Sequence, residues 1–521
     1  MEPLIICPTK VVPGAKVMFV GEAPGREECA QREGFVGPAG RVLQRATALA
    51  GLEWSQCTLS NVSKRPPDGG YSSDHFRRTF YETSEIPILT KSGKPSKRCK
   101  KVVHPAAELT RLYKLLKAEV LSCHPNVVVS IGAEATWGLT GHRQIHDYRG
   151  SVLASTLIPG QKVIPVVHPA YIQRGQWSDF WPLVYDLKKV KREMEFPEIR
   201  SEPYTEILEP TLEQVESFLG GIDGPYSLDI ETRGGGIACV GIGKRIVLEN
   251  CDTSRVTGLC IPIQTTRGPY WSLQAEARIW QFLVLLFKGQ QLLVGQNLVY
   301  DLDWLRAYGV RPSGILMDTM TAHCFLYPEW TQGYKGLDFI TSFYLDDVPF
   351  YKHDGKTWGH KTANEDLWRY NLKDVVQTLR ASEKIQEQLI ARRMWKPYRE
   401  QIIPLTFLAL EMMEKRLPVN ENNRELLDKL LESELWKNQK LLTATIGYEI
   451  NTASPKQVQS LLYTTLGLPI HRKRGKGTVT SDENTLRELR TQVGHPILDL
   501  LIASRHLTKR KSSFIDIELE E

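Results

Sequence analysis

The sequence has no long apolar run. Its longest stretch is the nine residues Ile279–Phe287, interrupted by Gln281. A membrane span needs about twenty such residues, so a spanning helix is excluded. The opening Met-Glu-Pro-Leu lacks the basic flank and apolar segment of a secretion signal. The nine cysteines contain no CxxC pair and form no even framework. That speaks against a disulfide scaffold and for a reducing cytoplasm. Internal repeats and low-complexity tracts are also missing, which excludes fibrous and wholly disordered classes.

What is present suits several packed cores. The chain has 521 residues, 41% hydrophobic and 24% charged, a length that suggests about three domains. Charge is uneven: net +9 for residues 1–200, −4 for 201–400 and +1 for 401–521. A basic first third fits an anionic polymer as partner, because Lys/Arg surfaces release counterions on binding nucleic acid. An acidic middle third suits a site built from carboxylates.

Residues 197–210, with three prolines, read as a linker or domain edge, and patterning becomes helical after about 392–399. The basic stretch Lys91–Lys101 reads as a flexible surface insertion. The first region alternates strands (16–20, 126–131, 162–167) with helices (41–50, 107–120). This alternation predicts a parallel sheet covered by helices, with ligands at the carboxyl ends of the strands.

Two loops fall there, Gly21–Gly25 and His168–Tyr171, and Phe35-Val36-Gly37, Asn61, Lys64–Pro67 and Arg174 complete the set. Together they resemble the family 4 uracil-DNA glycosylases over most of residues 1–195. The resemblance implies that Phe35 stacks on a flipped base and Asn61 reads the uracil edge. It also implies that His168 stabilises charge on the leaving base and that Glu22 or Glu28 positions or activates water. The family's cysteine beside Lys64 is absent, as are its paired N-terminal cysteines, and Arg32 and Gly34 replace the usual Gly and Pro of the acidic loop. A 4Fe–4S cluster needs four thiolates, so no cluster is expected.

The middle region carries Asp229-Ile230-Glu231 on a strand, where i and i+2 share a face. Asn297–Asp301 opens a helix 72 residues from Asp229, and Tyr370–Asp374 lies on another, 73 residues beyond Asp301. Each motif alone is ordinary. Four carboxylates brought together repel unless cations neutralise them, and hard oxygen ligands select Mg²⁺ or Mn²⁺. Two such ions can clamp the attacking and leaving oxygens of a phosphodiester. The set is similar to the DEDDy 3′–5′ exonucleases, the proofreading domains of family A DNA polymerases. That similarity implies metal ligation by Asp229, Glu231, Asp301 and Asp374, with Tyr370 orienting water and Asn297 contacting DNA. Met317–Met320 and Gly336–Phe339 also look like segments of that domain.

Beyond residue 400 the leucines take helical spacing, Ser454-Pro455 predicts a helix start, and Thr480–Glu483 offers a capping box. Residues 451–468, the basic segment with Arg472, Lys473, Arg474 and Lys476, and residues 504–515 resemble the DNA-gripping thumb of family A polymerases. No palm aspartate motif follows, so a second palm-and-fingers chain or a missing C-terminal part is expected as partner.

The expected architecture is multidomain α/β. A uracil-DNA glycosylase-like α/β/α domain spans 1–197, a linker 198–210, a ribonuclease H-like exonuclease domain 211–395 and a helical thumb 396–521. The expected function is two-metal proofreading of single-stranded 3′ ends and primer–template DNA in a bacteriophage-type family A polymerase. The location expected is cytoplasmic, the host bacterial cytoplasm for a phage protein. An active repair glycosylase with accessory exonuclease, or a non-catalytic adaptor for a separate polymerase subunit, stays open.

Overall fold

The computed structural model describes residues 7–66, 77–83, 88–89, 95–96, 99–105, 107–247, 254–312, 316–330, 333–348, 350–351, 363–472 and 478–517. Of the sites expected from sequence, Lys473, Arg474 and Lys476 lie outside these residues, as does Pro67. The chain divides into two compact units, Met1–Glu414 and Lys415–Glu521.

The first unit contains two large sheets. One has five strands in the order Thr58–Asn61, Val17–Gly21, Val127–Ile131, Lys162–Val166 and Leu153–Ala154, parallel except for the last pair. Its central strands are buried along their whole length because both faces are covered. Val17 and Phe19 point to the layer holding helices Pro38–Leu49 and Phe180–Glu193. Met18 and Val20 point to the layer of Ala107–Cys123 and Ala133–Thr140. The period-2 alternation of a strand thus feeds two cores.

The second sheet has six strands, ordered Tyr204–Ile207, Ser254–Pro262, Gly236–Val247, Tyr226–Arg233, Leu293–Gly295 and Leu316–Asp318. The second, third and fourth pair antiparallel, and the remaining pairs are parallel. Helix Asn364–Ala391 crosses it closely. A Cβ on Gly241 would sit 2.3 Å from Asn371 Oδ1, so glycine lets this helix reach the sheet.

Four readings differ from the structure. The span expected to be a linker contributes the edge strand Tyr204–Ile207, whose backbone pairs in parallel with Ser254–Pro262. The stretch 91–101, read as a flexible insertion, carries paired backbone. Pro95–Ser96 pairs with Ile88–Leu89, and Cys99–Pro105 pairs with Arg77–Thr83. Residues 396–414, assigned to the thumb, bury Tyr398, Ile403 and Leu410 in the core of the second sheet. Finally Asp482, not Thr480, caps helix Glu483–Val493, accepting from Thr485 N at 3.0 Å, while the Thr480 hydroxyl donates to Asp482.

The second unit packs helices Glu421–Ile446, Glu483–Val493 and Pro496–Phe514 around Leu442, Leu461, Leu462, Leu486, Leu498 and Leu501. Ser454 caps the helix beginning at Pro455, as its sequence predicts. No helix among the described residues is long and apolar enough to cross a membrane.

Candidate active sites

The first site lies at the carboxyl ends of the parallel strands. Asn61 ends its strand, Gly21 ends the neighbour, and His168 follows Lys162–Val166. A cavity of about 490 Å³ brings together Glu22, Glu28, Phe35, Asn61 and His168 with Tyr171 and Arg174. Close backbone packing shapes it. A Cβ on Gly21 would lie 2.4 Å from Asn61 Oδ1, and one on Gly40 would lie 1.9 Å from the Phe35 carbonyl oxygen. Phe35 adopts φ 61°, and its ring meets Trp54 edge-on at 6.0 Å. Glu28 is buried, and its Oε1 accepts from Gly37 N at 2.8 Å, so one carboxylate oxygen holds the neighbouring turn.

His168 caps helix Pro169–Gln173, its Nδ1 accepting from Ala170 N at 3.2 Å. An accepting Nδ1 leaves the proton of the neutral ring on Nε2. Burial, and then the nearby Arg174, push the imidazole down to about 4, so the ring is neutral at pH 7 and still offers a donor.

The second site lies on the six-stranded sheet. Asp229 and Glu231 share one face of strand Tyr226–Arg233, and helix Asn364–Ala391 brings Asp374 to them. One ligand oxygen from each of the three lies within 4.8 Å of the others. Asp301, on helix Leu298–Ala307, adjoins this trio without being one of it. Its Oδ1 accepts from Ile230 N, between the two strand carboxylates, at 2.9 Å. Burial, and then the charge of Asp229, hold the Asp301 carboxyl well above the usual range. Gathered oxygen ligands whose mutual repulsion raises a neighbour suit a hard divalent cation. The Tyr370 ring lies on the same helix, 6.0 Å from that of Tyr351.

Comparisons with known protein families give three separate matches. Residues 8–188 match the family model for the uracil DNA glycosylase superfamily, 212–390 that for 3′-5′ exonuclease, and 421–520 that for DNA polymerase family A. The chain is family A DNA polymerase-like, with exonuclease-like and uracil-DNA glycosylase-like domains. DNA polymerase I of Borreliella burgdorferi is 26% identical over 51% of this chain and 30% of its own length. That of Synechocystis is 28% identical over 42% and 23%. Type-4 uracil-DNA glycosylase of Thermotoga maritima is 29% identical over 36% of this chain and 85% of its own. The chain thus spans less than a third of these two polymerases. The solved POL domain of Pol1 from M. smegmatis, in complex with DNA primer-template and dNTP, has a TM-score of 0.43 and 19% identity. It covers 60% of this chain and 49% of that one, a likeness too low to bear on function.

Sequence reading missed three residues of the exonuclease-like site. Asn371 is fully buried, and its Nδ2 donates to the Asp229 side chain at 2.8 Å and to the Asp229 carbonyl at 3.0 Å. Its place between Tyr370 and Asp374 was the available signal. Tyr351 donates its hydroxyl to Asp374 Oδ1 at 2.7 Å, a contact no local motif announces. Asp318 accepts from the backbone N–H groups of Asn297, Leu298 and Met320 at 2.9–3.1 Å. It holds Asn297 at φ 60°, ψ 46° and so sets the start of the helix bearing Asp301. If Tyr351 fixes the Asp374 carboxylate, Tyr351→Phe lowers kcat for 3′-nucleotide release about tenfold and leaves KM unchanged, the worth of one charge-assisted hydrogen bond. An unchanged kcat removes Tyr351 from the site.

The first unit is also acid-sensitive by construction. His323 lies among the rings of Tyr327, Trp330, Phe339, Phe343 and Tyr344. Its Nδ1 is 3.0 Å from the Tyr344 hydroxyl, and its Nε2 is buried without a hydrogen-bond partner. Burial pushes it down to about 4, as for His168. Both stay neutral when folded and titrate near 6.5 when unfolded, so unfolding takes up protons below pH 6.5. Stability is expected to be intact above pH 6.5 and to fall towards pH 4, by about 3 kcal/mol for His323. Denaturant titrations of wild type and His323→Phe across that range check this, and equal pH slopes refute it.

Proposed function

We propose that this chain removes nucleotides from the 3′ ends of DNA as the proofreading exonuclease of a family A polymerase system. The convergence of Asp229, Glu231 and Asp374, with Asp301 against the intervening backbone, carries this reading. These four would hold a pair of Mg²⁺ or Mn²⁺ ions. When bound, such ions supply the positive charge that makes water nucleophilic and stabilises the departing 3′ oxygen. The chain's own part is positional. Asn371 fixes Asp229, Tyr351 fixes Asp374, and Tyr370, adjacent on the same helix, orients the attacking water. Asn297 guides the strand end. The three antiparallel strands followed by parallel ones support a ribonuclease H-like domain over 211–395.

The test uses a 5′-labelled single strand. Stepwise shortening from the 3′ end is expected with Mg²⁺, its loss with EDTA, and its return with added Mn²⁺. No shortening with either ion sinks the proposal and favours the adaptor reading.

The other two regions support the same DNA-directed role. In residues 1–197 the pocket offers an aromatic wall, an amide and a neutral Nε2–H donor, the groups that binding of a flipped base requires. Alkali-labile sites formed in a uracil-containing strand would make this domain a glycosylase, and retention without cleavage a base sensor. In the second unit a cleft of about 650 Å³ carries Arg505 and Lys509 beside the hydroxyls of Thr478, Thr480 and Ser512. These groups suit a DNA backbone in the grip of a polymerase thumb. Arg472 pairs its backbone with Val479 at that cleft's edge.

A further inference from the structure

Between the glycosylase-like and exonuclease-like domains of the first unit lies a cavity of about 330 Å³, distinct from both sites except that Tyr171 borders it and the glycosylase-like pocket alike. The glycosylase-like side lends it Asp147, Asp179 and Tyr171, and the exonuclease-like side lends Tyr334, Asp338 and Phe339. Three carboxylates thus face a small space with aromatic walls, which His146 and Arg149 also line.

Asp179 is the decisive residue. It is 6% exposed, ends the turn Trp177–Asp179 and lines the cavity. Its carboxylate accepts no hydrogen bond and makes no ion pair among the described residues, and it leaves the following helix uncapped. Of the two basic groups whose charge acts on it, Arg149 is committed elsewhere. Its guanidinium grips Asp186 through Nε and a terminal nitrogen and lies over the Phe339 ring at 5.0 Å. His146, the other basic group near Asp179, packs edge-on against Tyr171 at 5.0 Å. Burial pushes the Asp179 carboxyl up. With only His146 and the already committed Arg149 to offset its charge, an anion held this way gains from a further cation entering the cavity.

The chemistry of the visitor follows from the walls. Phosphates and other anions are disfavoured by three carboxylates, since Arg149 is already bound to Asp186 and His146 is the one other basic group in the lining. A bare metal ion needs acidic oxygens that converge, and among the described residues the acidic group meeting that condition is Asp229, Glu231 and Asp374, not this one. Carboxylates set apart on two domains, with aromatic faces between them, match spaced ammonium groups on an apolar chain. We propose that this seam binds a small linear di- or polyamine, one ammonium on Asp179 and its methylenes against Tyr171 and Tyr334. Such a ligand bridges the two domains and stabilises their docked arrangement by mass action.

The experiment is calorimetric titration of the full chain, free of DNA, with putrescine and with spermidine, alongside thermal unfolding. Saturable one-to-one binding and a rise in Tm are expected. Asp179→Asn should weaken binding about thirtyfold or more, as when one partner of a buried charge pair is removed. Without ligand that variant should unfold no earlier than wild type, because burial outweighs the help that His146 and Arg149 give the charge it loses. Should Asp179→Asn fail to fold, Asp338→Asn serves instead, with the same loss of binding expected. Absence of saturable binding, or equal affinity in the variants, would overturn the site. Saturation by cytidine in place of the amines would make it a base pocket and also overturn the proposal.

Discussion

Replacing Asp229 with alanine is expected to lower Mg²⁺-dependent release of 3′ nucleotides about a thousandfold or more, while affinity for single-stranded DNA changes little. Asp229 belongs to the carboxylate trio, accepts from Asn371 and raises Asp301, so its loss touches every part of the site. The thermal midpoint should hold or rise. The substitution removes a like charge next to buried Asp301, and Asn371 keeps the carbonyl of residue 229 as acceptor. Quantifying release from a 3′-labelled strand, together with a melting curve, separates loss of chemistry from loss of fold. Undiminished release from a nuclease-free preparation would refute the assignment.

The largest effect on stability is expected from Arg149→Ala. Arg149 and Asp186 are 4% and 2% exposed, and the guanidinium also reaches Ser342 Oγ at 3.5 Å across the domain seam. Lys189 reinforces that seam, donating to the carbonyls of Gly150, Ser342 and Leu345. Truncating Arg149 strands the Asp186 carboxylate in a site that already pushes its pKa up. Breaking one side of a buried pair costs about 3–5 kcal/mol, whereas replacing both partners with apolar groups is often nearly neutral. Chemical denaturation at pH 7 should therefore show a loss of about that size for Arg149→Ala. The double change Arg149→Met with Asp186→Leu should recover most of it. Equal losses in the single and double variants would mean that the pair's role is steric.

Local patterning made much of this molecule legible. Strand alternation at Tyr226–Thr232 put Asp229 and Glu231 on one face, and helical spacing aligned Tyr370 with Asp374. The apolar strands of the first sheet marked their own loop ends, where Asn61 and His168 meet in one cavity. Capping chemistry misled by two residues, since Asp482 competed with Thr480 for the same helix start. The pattern at 204–207 was too short to distinguish a linker from an edge strand until a partner strand was in place.

Sequence alone determined which residues carry charge, which faces are apolar, and hence which chemistry the strand and helix motifs can perform. Those properties live within a few residues of one another, and backbone periodicity is enough to express them. Only the tertiary structure decided that Tyr351 serves Asp374, that Asp318 sets the helix of Asp301, and that Asp179 and Asp338 face one seam. These contacts join positions 17 to 159 residues apart, and packing of whole elements, not any local preference, determines which such pairs meet.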